Sequence, residues 1–265
     1  MDRADSATAR GRTANPTDVA ERMAEAHAAT GRGDYPAALA IWGPLAHAGV
    51  GRAQNNIGAC FAEGLGVERD HALALRWLTL AAETGDTVAR RNLAALYFKG
   101  EGVEQDNARA AELYRAAAEA GDGAAQDMLS WMLLETDSTF FDPVEAHRWA
   151  LAAASQGIAA AMTRLGMIHH DALGVDRDAK TAAAWWTKAA ARGDADGQAM
   201  LGAAHLLGAG VPSDRVLAAA WLIRARSGGS KLAERYLKAA RNGLTADESA
   251  DAERRATLPL AEWAP

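Results

Sequence analysis

The chain has 265 residues, 49% of them hydrophobic and 23% charged, with a formal net charge of −6. That composition suits a folded, water-soluble protein. The negative balance excludes a general affinity for DNA, RNA or anionic membrane, which need a positive field, and the single cysteine, Cys60, excludes an intramolecular disulfide.

The opening residues, MDRADSATARGRTANP, contain no apolar run of signal-peptide length. No later segment has the ~18 apolar residues of a membrane span. These observations predict a cytoplasmic protein with no membrane insertion. Residues 1–14 are polar and are expected to be disordered. Residues 15–50 read as a divergent first unit, with Asp34 as a helix cap, Ile41 at a large apolar position and Gly49 as a stop.

From residue 51 the sequence repeats in steps of 36. Gly85, Gly121, Gly157, Gly193 and Gly229 fall in register. So do Ala74, Ala110, Ala146, Ala182 and Ala218, and Asp70, Asp106, Asp142, Asp178 and Asp214. One apolar column reads Trp77, Leu113, Trp149, Trp185, Trp221, and another Ile57, Leu93, Leu129, Leu165, Leu201. A fixed period of this length predicts a solenoid of five units over residues 51–229, each burying its apolar face against its neighbours.

Each column has a physical reason. Ala53, Ile57, Phe61 and Gly64 share one face of a first helix. The turn GLGVERD supplies positive-φ glycines and Val67 as a plug. Asp70 caps a second helix, which buries Ala74, Trp77, Leu78 and Ala81 before Gly85 stops it in a left-handed conformation. Trp149→Ala is expected to cost ~3–5 kcal/mol if that column is buried. Residues 230–265 read as capping helices followed by an apolar tail, in which Leu258, Leu260 and Trp263 fold back on the last unit or dock elsewhere.

These columns resemble the Sel-one-like repeat, a relative of the tetratricopeptide repeat. Ala161 to Gly193, AMTRLGMIHHDALGVDRDAKTAAAWWTKAAARG, matches best, through Leu165, Gly166, Gly174, Val175, Asp178, Trp185, Lys188, Ala189, Ala190 and Gly193. The resemblance implies an all-α, right-handed superhelical solenoid with a concave inner surface. It also implies a non-catalytic scaffold or adaptor that binds a protein or peptide partner.

In such a fold the first helices line the concave face. Their outward positions carry Phe98, Met128, Trp131, Leu134, Met167, His170, Met200 and Leu206, flanked by Arg91, Lys99 and Arg164. These residues are the candidate partner-binding set. Two readings stand: a groove for an apolar segment with an acidic flank, or ordinary packing between first helices. The third unit replaces the glycine turn with Thr136-Asp-Ser-Thr-Phe-Phe-Asp142, where Phe140 or Phe141 plugs the gap and the other is a candidate contact.

No cofactor or metal site is expected. His169 and His205 lie one period apart, but they share the column of Phe61 and Tyr97, which is a packing column. Cys60 has no His partner. A monomer or weak dimer is expected, and a subunit sequestering one dedicated partner is the alternative to a scaffold.

Overall fold

The computed structural model describes residues 16–135 and 139–260. Its described residues form fourteen α-helices and no strand. They run α1 Pro16–Gly31, α2 Tyr35–His47, α3 Gly51–Glu63, α4 His71–Glu83, α5 Thr87–Lys99, α6 Asn107–Glu119 and α7 Gly123–Met132. These are followed by α8 Pro143–Ser155, α9 Ala159–Asp171, α10 Ala179–Ala191, α11 Ala195–Leu207, α12 Arg215–Ser227, α13 Leu232–Arg241 and α14 Ala246–Thr257. The helices pair as an α-solenoid of about 36-residue repeats, as the period predicts. The chain divides into two compact units, residues 1–117 and 118–265.

Aspartates cap helix starts in two columns, and only α3 and α9 among the first helices of residues 51–230 start without one, at Val50 and Ile158. Second helices are capped by Asp34, Asp70, Asp142, Asp178 and Asp214, whose carboxylates accept from backbone N–H groups of the first turn. A second column, Asp86, Asp122 and Asp194, caps first helices in the same way. Each cap satisfies an otherwise orphaned donor at a positively polarised terminus. The stop glycines, from Gly85 to Gly229, hold φ near +90° as expected.

The glycine turn also provides a close approach. A Cβ on Gly210 would lie 1.9 Å from the carbonyl oxygen of Ala179, at the start of α10 one repeat earlier. The helix start and the turn therefore touch backbone to backbone, and only glycine fits.

Ala172 departs from its column. It holds φ +59° at the end of α9, where Gly64, Gly100 and Gly208 serve the sibling helices. Left-handed backbone costs a β-carbon about 1 kcal/mol. Ala172→Gly is expected to stabilise the chain by roughly 0.5–1 kcal/mol in a denaturant titration. A neutral or negative result would show that Ala172 carries no backbone strain.

The deepest column stands one residue beyond the one expected. Trp42, Leu78, Tyr114, Ala150, Trp186 and Leu222 are 0–4% exposed, whereas in the expected column Leu113, Trp149 and Trp221 are 7–9% exposed and Trp77 and Trp185 are half-buried. Successive helical positions differ by 100°, so the later column points at the partner helix of its own pair. The earlier one lies obliquely and keeps a polar edge. Trp149 donates from Nε1 to Glu145 at 3.0 Å, and the Lys188 ammonium lies 4.0 Å from the Trp185 ring centre. In the first pair Trp42, rather than Ile41, is the buried anchor.

Opposite this column the first helices carry side chains of complementary size. Gly166 faces Trp186, and a Cβ there would lie 2.1 Å from the indole Nε1. Gly58 and Gly202 face Leu78 and Leu222, with Cβ positions 2.7 and 2.8 Å from the leucine Cγ atoms. In the α7–α8 pair Ala150 is small and Ser130 stands opposite, its hydroxyl donating to the Ala146 carbonyl at 2.8 Å. Volume lost on one helix is restored on the other, as close packing requires.

Candidate functional site

The site is built on the first helices of the second unit. There α7 touches α9, α9 touches α11 and α11 touches α13. Polar rungs tie these helices together. The Arg164 guanidinium on α9 pairs with Asp127 on α7, both nearly buried. The Thr163 hydroxyl donates to Asp194 at 2.6 Å, and Ser230 donates to Asp196 at 2.6 Å. In the first unit Asn92 donates to Asn55 at 3.0 Å across α5 and α3. These polar side chains connect successive first helices. At 3% exposed, Asn55 belongs to the interior.

Between the rungs lies a groove of about 400 Å³. Its apolar wall is Trp131, Leu134, Met167, Leu173 and Leu232, and its polar lining includes Glu135, Arg164, Asp194 and Asp196. Met167 is 41% exposed, a large apolar side chain facing solvent. Four residues of the candidate set, Trp131, Leu134, Arg164 and Met167, are thus brought together here.

The others are placed differently. Met200 packs beside Trp186 and Trp221, and Leu206 packs against the cluster that holds Leu222 and Leu237. Met128 is half-buried. The His170 ring lies 5.6 Å from Trp186, with Nδ1 2.7 Å from Asp171. In the first unit Phe98 and Arg91 are half-buried, and Lys99 lies 3.7 Å from Glu101. Phe140 is half-buried and Phe141 is 42% exposed. Leu260 packs against the Trp186 and Trp221 cluster, whereas Trp263 lies outside the described residues.

Leu232 and Asp196 were legible but missed. With Ala160 they form one column at the starts of α9, α11 and α13, and all three line the groove. Stepping by 36 from Ala160 finds them. Leu173 comes from the turn after α9, which was read only for its glycine and valine.

Titratable groups are few in the interior. Burial pushes the Cys60 thiol up to about 11 and so disfavours the thiolate a nucleophile needs. His147 stacks edge-on against His169 at 5.4 Å, and burial, then the His169 charge, lower its pKa. The folded state therefore favours neutral His147, and the unfolded chain binds the proton more readily. Stability is full above the unfolded value of ~6.5 and falls as pH drops through it. In denaturant titrations at pH 5 and pH 7.5, His147→Gln is expected to lose less stability on acidification than wild type. An identical loss would exonerate this pair. Among the described residues, no group of three or more His, Cys, Asp or Glu side chains is gathered for a metal ion. Nor is any helix among them long and apolar enough to cross a membrane.

Stacked helix pairs with a lined inner groove define the class of α-solenoid repeat proteins. Residues 51–86, 87–122, 124–158, 159–194 and 195–230 each match the Sel1 repeat, and the chain belongs to that family. It is similar to a protective antigen present in uropathogenic Escherichia coli strains that displays an SLR fold. The two share 30% identity over 88% of this chain and 50% of the antigen, with a TM-score of 0.81. The present chain thus spans half the length of that relative. A Sel1 repeat protein from Oxalobacter formigenes is 25% identical over 89% of this chain and 98% of its own, with a TM-score of 0.75. No curated protein matches the chain.

Proposed function

We propose that this protein is a non-catalytic interaction scaffold that holds a segment of a partner protein in the groove of its second unit. The observation that carries the reading is the apolar wall formed by Trp131 on α7, Met167 on α9, and Leu134 and Leu173 in the turns that follow them, open to solvent at Met167. Aromatic and methionine side chains in a concave, partly desolvated setting are what binding hot spots use. Family membership supports an interaction role, since the fold supplies a frame and the function resides in side chains grafted on it.

The test is site-specific photocrosslinking in the source cells. A benzoylphenylalanine at position 167 is expected to give one discrete adduct. The same probe at position 184, an exposed alanine on α10, is expected to give none. Equal labelling at both positions, or at neither, would overturn the reading.

A further inference from the structure

The same groove specifies the chemistry of its occupant. We infer that it takes a partner segment that combines apolar side chains with at least one lysine or arginine; this rests on the scaffold reading above.

Three carboxylates line the groove, Glu135, Asp194 and Asp196, against one cation, Arg164. That cation is already matched, because Asp127 holds it in an ion pair in which both side chains are under one-fifth exposed. An acidic flank would meet three negative charges with no available cation to offset them. A basic one meets them directly.

The hydrogen bonds at these carboxylates orient them without consuming them. Asp194 Oδ1 accepts from Gly197 N and Thr163 Oγ1, each at 2.6 Å. Asp196 Oδ1 accepts from Ser230 Oγ. Neutral donors leave each charge in place, and Oδ2 of each retains its lone pairs for a guanidinium or ammonium. Lys231 precedes Leu232 in the chain but does not line the groove.

The surrounding charge acts in the same sense at longer range. The second unit, residues 118–265, contains nineteen acidic and fifteen basic side chains, a net of −4. Such a field raises the encounter rate of a cationic segment and weakens with salt. The sequence-based expectation of an acidic flank, drawn from Arg91, Lys99 and Arg164, is therefore reversed for this groove.

A phage-displayed library of random dodecapeptides, panned on the full chain, tests the inference. Enriched peptides are expected to carry Lys or Arg among apolar residues. Their synthetic forms should bind roughly five- to tenfold more weakly to Glu135→Gln/Asp196→Asn, two exposed positions at which both substitutions keep a hydrogen-bonding oxygen. Binding should also weaken as salt rises. Acidic or uncharged peptides that nonetheless lose binding to Trp131→Ala would overturn the occupant's charge and keep the groove. Peptides that bind Trp131→Ala and Met167→Ala as well as wild type, or an unenriched library, would overturn the groove itself. Met167 is exposed, so its variant keeps the test informative if Trp131→Ala fails to fold.

Discussion

Trp186→Ala is expected to be among the most destabilising single substitutions, costing about 3–5 kcal/mol. Its indole is the largest of the fully buried side chains, at 2% exposed, and donates to the Thr163 carbonyl at 3.2 Å. Truncation empties a cavity between α9 and α10 and leaves that bond unmade. Trp149→Ala should cost less, because Trp149 is 9% exposed and lies against the Arg148 guanidinium. Guanidinium titrations of the two variants decide the order. If Trp149 proved the costlier, the deep column would be misassigned.

The second large effect is expected at Gly166. Gly166→Ser places atoms where the Trp186 ring already sits, and the ring has no room to retreat. A loss of about 2–3 kcal/mol is expected from overpacking. The pair should also be coupled. The double variant Gly166→Ser/Trp186→Ala reproduces the Ser130 and Ala150 pairing of α7 and α8, in which the hydroxyl finds a carbonyl. Its loss is expected to fall short of the summed single losses by more than about 1 kcal/mol. Strict additivity would show that the two sites do not share one packing volume.

Much of the architecture was legible because it repeats. Five columns in step announced helix pairs, and the aspartate caps and glycine stops followed from elementary terminal chemistry. What the columns did not disclose was rotation. A tryptophan column draws the eye, but the next position along is deeper, occupied by residues as different as Ala150 and Trp186. That column runs from alanine to tryptophan, and only its partner column, with Gly58, Gly166 and Gly202, keeps a common residue. The groove was half legible for a related reason. Trp131 and Met167 stood out as apolar residues at outward positions, whereas the polar rungs depend on pairs 31 to 37 residues apart, such as Asp127 with Arg164. A helical wheel treats each helix alone and cannot show which charges are already matched. Arg164 therefore looked like a free cation, whereas Asp127 already holds it in an ion pair.

The last helices bear on how far such an array can be extended. The Arg224 guanidinium on α12 donates to the carbonyl oxygens of Ala256 and Leu258, at 3.1 and 2.6 Å. Ala252 packs into the cluster of Leu222 and Leu237, and Leu260 reaches Trp221. Together these contacts occupy the apolar surface on which a further helix pair would stack. Anyone lengthening this protein by design should therefore insert new repeats ahead of Leu232, where each meets an open face on either side. Units joined after Leu260 would find the growing face already covered and would hang as a separate, tethered body.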